Sequence, residues 1–271
     1  MFMKKGIIFF IFLVLLITGC TSPAQQPAEQ TPSEPGTQEV TQQETSSAPE
    51  PAKESALPAT VELPPLPEKI MTEDNLKIAY TYRKAEGKKA VLLLHMFGGS
   101  KADWNDLVPV LNKNGYTTLA IDLRGHGESD GRSGSMDPQE LTKMMLDVKA
   151  AKKLLEDQQY TDITLLGASV GANNALLQGT QDPTIKKLIL LSPSNNQMGS
   201  VKTTDMVNNY KGQLYILTGS GDAKSYKGSE EIIQAYLGQK EIVVYETSAH
   251  GTELLTAAYG ITDTILAYLK K

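Results

Sequence analysis

The order of apolar runs along this chain predicts an α/β domain built on a mostly parallel sheet covered by helices on both faces. Runs near 90–95, 117–122, 162–167, 186–192, 213–218 and 241–245 are apolar at successive positions, and helical patterns separate them. Strands that alternate in polarity have one wet face, whereas continuous apolar strands are buried on both, as a covered parallel sheet requires. The third observation is local. Gly167-Ala168-Ser169-Val170-Gly171 lies between the apolar run Ile163-Thr164-Leu165-Leu166 and an Ala/Leu-rich helical stretch, which reads as strand, sharp turn and helix.

Element by element, the domain begins with a hairpin, 68–72 and 76–83, around the turn residues Glu73-Asp74-Asn75. With the six later runs this gives about eight strands. The clearest helix opens at Asp137-Pro138-Gln139-Glu140, with an N-cap aspartate, proline in the first turn and acid near the positive helix end. Leu141, Met144, Met145, Val148, Ala151, Leu154 and Leu155 then recur at helical spacing as its core-facing stripe.

The Ser169 context points to acyl-transfer chemistry. Flanking glycines let the chain turn tightly enough to present the hydroxyl at the strand's end, and the helix behind it supplies N–H donors and a positive dipole end. Asp222 follows in Leu217-Thr218-Gly219-Ser220-Gly221-Asp222, where an apolar run ends in a loop, and His250 follows in Ser248-Ala249-His250-Gly251 after Ile242–Tyr245.

The order Ser, Asp, His, together with G-x-S-x-G after a strand, resembles the α/β-hydrolase superfamily over about 68–271, nearest its esterase, lipase and serine-aminopeptidase-like branch. Two more segments carry the resemblance. His95-Met96-Phe97-Gly98-Gly99-Ser100 after Val91–Leu94 is similar to the oxyanion loop, and Asp122-Leu123-Arg124-Gly125-His126-Gly127-Glu128-Ser129 is similar to the loop after the next strand. The resemblance implies Ser169 as nucleophile, His250 as base and Asp222 as acid, with oxyanion donors at the backbone N–H groups of Val170 and Phe97. Met96 stands where the family usually has glycine, so Met96 remains an alternative donor to Phe97. Of the three histidines, His95 and His126 fall in loop-shaping segments, which leaves His250 as the base. Asp205 and Glu246 are the weaker competitors for the acid. Only Pro193–Gly212 occupies the place where the family commonly carries a lid, so no large lid domain is expected and the site should be open.

The N-terminus predicts another location for this domain than the cytoplasm. Met1-Phe2-Met3-Lys4-Lys5 and the apolar Ile7–Ile17 have the form of an export signal, too short for a comfortable membrane span. Ile17-Thr18-Gly19-Cys20 resembles a bacterial lipobox, which implies a signal peptide over 1–19 and lipidation of Cys20, the only cysteine. Residues 21–67 hold ten of the 14 prolines and one glycine, among Gln, Thr, Ser and Glu, so 20–67 is expected to be an unfolded tether. The domain is therefore expected in the cell envelope, lipid-anchored and extracytoplasmic.

Composition narrows the remaining classes. A net charge of -5 without a basic cluster beyond the signal argues against nucleic acid. No His/Cys cluster has metal-ligand spacing and no glycine-rich phosphate loop follows a strand, so neither a metal nor a cofactor is expected. The expected partner is a small ester or amide. A carboxylesterase for small to medium acyl groups is the leading activity, with an aminopeptidase-like amidase or a thioesterase as enzymatic alternatives. A non-catalytic binding lipoprotein on the same fold is the alternative from another class.

Overall fold

The computed structural model describes residues 63–132, 137–195 and 201–271, and the backbone at 197–198. The expected signal peptide, Cys20 and the expected tether as far as residue 62 lie outside the described residues. In chain order the elements are β1 (Ile70–Met71), β2 (Lys77–Ile78), β3 (Tyr80–Arg83), β4 (Lys89–Leu94), α1 (Leu107–Lys113), β5 (Thr117–Ile121), α2 (Pro138–Asp157), β6 (Asp162–Ala168) and α3 (Val170–Gln181). They continue with β7 (Lys187–Leu191), β8 (Gln197–Met198), β9 (Val201–Lys202), α4 (Thr203–Met206), β10 (Gln213–Gly219), α5 (Ala223–Ala235), β11 (Lys240–Tyr245), α6 (Leu254–Ala257) and α7 (Ile261–Lys270).

Seven strands form the main sheet in the order β11-β10-β7-β6-β4-β5-β3, all parallel except β3, which runs antiparallel to β5 at the edge. The expected eighth strand is not in it. Ile70–Met71 pairs with Lys77–Ile78 as a separate two-stranded ladder around the Thr72–Leu76 turn, and the chain enters the sheet only at Tyr80.

Continuous apolar strands bury two faces because successive side chains point to opposite sides. Ala90, Leu92 and Leu94 of β4 join one core with Leu165 and Leu190, while Val91 and Leu93 join a second with Leu166 and Ile189. Helices α2, α3 and α5 cover the first core through residues such as Val148, Ala175 and Ile232. Helices α1 and α7 cover the second through Leu107, Leu111, Ile261 and Ile265. Helix α2 begins as its sequence dictates: the Asp137 carboxylate accepts the N–H groups of Gln139 at 2.8 Å and Glu140 at 3.3 Å, with proline in the first turn.

The strand order places the site. From β4 the chain runs outward to β5 and then crosses back to β6 on the other side of β4. This reversal opens a crevice at the carboxyl ends of β4 and β6, the usual ligand position in open α/β sheets. Leu94 is in register with Gly167, so His95 and its loop emerge beside Ala168 and Ser169.

Candidate active site

Ser169 sits at the strand-to-helix corner with φ 51° and ψ −111°, a strained backbone for a residue with a side chain. The flanking glycines have a different role from the one their conformational freedom suggested. Neither has positive φ; both are needed for space. A Cβ on Gly167 would lie 2.4 Å from the Gly171 carbonyl oxygen, and one on Gly171 would lie 2.4 Å from that of Leu94. The motif thus packs α3 against the ends of β4 and β6, and Ser169 alone carries the turn.

Asp222 occupies the N-cap of α5 but makes no capping hydrogen bond. Its carboxylate Oδ2 instead meets His250 Nδ1 at 2.6 Å, across from the end of β11. The His250 side chain is 37% exposed against 14% for Asp222, so the imidazole reaches toward solvent while its acid is covered. The Glu253 carboxylate accepts the His250 backbone N–H at 3.0 Å and fixes where the following turn begins. The next residue, Gly251, lies near the end of the strand that leads to Ser169. A Cβ on Gly251, at φ +58°, would lie 2.9 Å from Met96 Sδ and 3.6 Å from Ala168 Cβ. The methionine that departs from the family pattern therefore fills the space between the His250 loop and the strand leading to Ser169.

The loop after β4 is held from below. His95, fully buried, lies 2.7 Å through Nδ1 from the Met96 carbonyl, and its Nε2 accepts the Leu123 N–H at 2.9 Å. A carbonyl accepts only, so the proton resides on Nδ1, and burial pushes the pKa down, keeping the ring neutral. His126 packs edge-on to Phe97 with centroids 5.2 Å apart, and its Nδ1 lies 3.0 Å from the Arg124 carbonyl. Arg124 in turn bonds Asp147 of α2 and Asp74 of the β1–β2 turn, which anchors the whole segment. Among the described residues the N–H groups of Phe97 and Val170 make no turn, loop or cap hydrogen bond to the backbone.

Two contributors were not visible in the sequence. The Asp103 carboxylate, in the 3-10 turn Lys101–Trp104 after the oxyanion-type loop, accepts the Thr252 hydroxyl at 3.1 Å and so ties that loop to the His250 loop. Ser225 Oγ lies 3.1 Å from His250 Nδ1. Both are ordinary polar residues in sequence, and only long-range contacts single them out. The weaker acid candidates lie elsewhere: Asp205 is in α4, and Glu246 follows the end of β11 without contact to His250. Among the described residues no group of three His, Cys, Asp or Glu side chains could hold a metal.

Pro193–Gly212 contains the β8–β9 pair, the short α4 and a 3-10 turn over Val207–Asn209, with no folded cap among its described residues. Beside Phe97 a cavity of about 720 Å³ is lined by Leu76, Met144, His126 and the charged Arg132, Glu140 and Lys143.

Solved structures share this architecture. An esterase from Exiguobacterium antarcticum superposes with a TM-score of 0.64 at 18% identity, covering 75% of this chain and 99% of the other. The chain has the α/β-hydrolase fold. The enol-lactonase from Burkholderia xenovorans LB400 has the same fold, with a TM-score of 0.62 at 14% identity over 74% of this chain and 98% of that one. A family model described as serine aminopeptidase, S33, matches residues 85–203 of this α/β-hydrolase chain, a stretch that includes Ser169 but neither Asp222 nor His250. Among curated proteins, mouse serine hydrolase BPHL is 35% identical over 111 residues, 40% of this chain and 37% of the relative. A Bacillus subtilis carboxylesterase is 35% identical over 97 residues, 36% of this chain and 38% of the relative. The matched stretches span well under half the length of these relatives.

Proposed function

We propose that this α/β-hydrolase chain is a membrane-tethered extracytoplasmic serine hydrolase, foremost a carboxylesterase for small to medium acyl groups. The observation that carries the reading is the 2.6 Å contact between His250 Nδ1 and Asp222 Oδ2, with Ser169 held at a strained strand-to-helix corner. A carboxylate on Nδ1 keeps the proton there and leaves Nε2 as the basic nitrogen. In the proposed sequence Nε2 takes the Ser169 proton as Oγ attacks the ester carbonyl. The tetrahedral oxyanion is held by the N–H groups of Phe97 and Val170. The imidazolium then protonates the departing alcohol, and water releases the acid from the acyl-enzyme by the reverse proton path.

A fluorophosphonate probe reports an activated serine and separates this reading from a binding lipoprotein. Wild-type protein is expected to be labelled in the membrane fraction, with an N-terminal lipid mass on Cys20 that the Cys20→Ser variant lacks while still being labelled. An unlabelled wild type would reject the enzyme, and a labelled one without lipid would reject the tether.

The amidase reading is favoured by one observation, the serine aminopeptidase description of the matching family model. Parallel assays on aminoacyl amides and on esters of the same acyl group decide between the two.

The uncapped site sets an acyl-length expectation. Each added methylene gains about 0.8 kcal/mol only where it is buried. Since the described part of Pro193–Gly212 forms only a strand pair and short helical turns, kcat/KM on p-nitrophenyl esters is expected to stop rising at about four to eight carbons, without interfacial activation. A rate jump above the micellar concentration would overturn the open-site reading.

A further inference from the structure

Asp222 and Ser225 stand three residues apart at the start of α5, a spacing that puts two side chains on one helix face. Both reach the same atom. His250 Nδ1 is 2.6 Å from Asp222 Oδ2 and 3.1 Å from Ser225 Oγ, and Ser225 is 2% exposed. A ring nitrogen that close to a carboxylate oxygen carries the proton, because two lone pairs would repel at that distance. The serine oxygen is then a second acceptor for the same N–H, a three-centre arrangement. Glu253 engages the His250 backbone, accepting its N–H and donating to its carbonyl, and Asp103 acts a step away through Thr252.

We propose that Ser225 is a positioning residue for His250, sharing the Nδ1 proton with Asp222. One acceptor fixes the tautomer but leaves the imidazole free to rock about that bond. Two acceptors from one rigid helix turn define the ring's plane as well, and so the direction of Nε2. The second acceptor also keeps the proton on Nδ1 when the carboxylate is removed. The proposal rests on the acyl-enzyme reading above. It distinguishes Ser225 from a small residue that merely fits a tight junction, which alanine would replace without consequence.

The test is a double-mutant cycle on the full chain, read by kinetics and by the imidazole ¹⁵N and Nδ1 proton resonances of His250. Ser225→Ala in the wild-type background is expected to lower kcat about fivefold with little change in KM, the loss expected for one neutral hydrogen bond. The acid limb of the kcat/KM profile is expected to move to lower pH, because the imidazolium loses an acceptor. In the Asp222→Ala background the same substitution should cost at least about tenfold, since the remaining acceptor is then the only one. Ser225→Thr, which keeps the oxygen, should restore the pH profile. Equal losses in the two backgrounds, with unmoved resonances and an unmoved acid limb, would overturn the proposal while leaving the esterase reading intact. A wild type that neither hydrolyses esters nor takes the fluorophosphonate, but whose His250 resonances still move on Ser225→Ala, would reject the enzyme reading and support the shared proton.

Discussion

Ser169→Ala is expected to reduce kcat by about 10³-fold or more, and His250→Ala by a similar factor, with the double variant little worse than either. Nucleophile and base act on one proton, so removing the second partner takes away nothing the first loss left in place. The fold should survive, because Ser169 is only partly buried, the His250 side chain is 37% exposed, and neither fills a core. Alanine at 169 keeps the same backbone requirement, φ 51°, which separates loss of the hydroxyl from collapse of the corner. Turnover and thermal unfolding measured on the same preparations check both halves. Near-normal turnover in Ser169→Ala would sink the assignment of the nucleophile.

Gly171→Ala should also abolish most activity, by another route. The added Cβ would meet the Leu94 carbonyl oxygen at 2.4 Å and that of His95 at 2.6 Å. Both are backbone atoms at the end of a central strand and cannot swing aside. Either α3 lifts from β4 or the loop bearing Phe97 moves, and in each case the proposed oxyanion donors Val170 and Phe97 are displaced relative to each other. Overpacking of this kind costs about 1–3 kcal/mol or more in stability, and a displacement of about 1 Å at a reacting centre costs about 10²-fold in rate. Gly179→Ala in the same helix is the contrast. Its Cβ would meet Leu188 Cδ1 at 3.0 Å and Tyr210 Cδ2 at 3.1 Å, side-chain atoms that can shift, and helix propensity improves. A melting temperature and kcat for Gly171→Ala no worse than for Gly179→Ala would show that the corner is softer than these distances require.

The strands were legible because burial on two faces leaves a continuous apolar run, and Leu92, Leu93 and Leu94 report that condition whatever their neighbours. Helix α2 was legible for a local reason, the Asp137-Pro138 cap followed by a stripe at helical spacing. Residues 68–83 were not fully legible. Turn chemistry around Asn75 marks a hairpin but does not say whether its strands join the main sheet, and here only Tyr80–Arg83 does. At the site, sequence order could nominate Asp222 and His250, and the structure brings them together at 2.6 Å. It could not nominate Ser225 or Asp103, whose partners lie 25 and 149 positions away along the chain. Nor could the pattern G-x-S-x-G say why its glycines are glycines. Only the neighbouring carbonyls show that clearance is the constraint.

The strand order divides the candidate machinery between regions of unequal firmness. Ser169 and the Phe97 loop grow from β6 and β4, which have paired strands on both sides, whereas His250 follows β11, which pairs only with β10 and is only partly buried along its length. Opening free energies within a fold range from near zero at frayed margins to the global value at the centre. Detachment of β11 would carry His250 away from Ser169 while β4 to β7 keep their ladders. In the proposed mechanism activity then gauges this margin rather than the whole domain, and inactivation on warming is expected before the bulk of the secondary structure is lost.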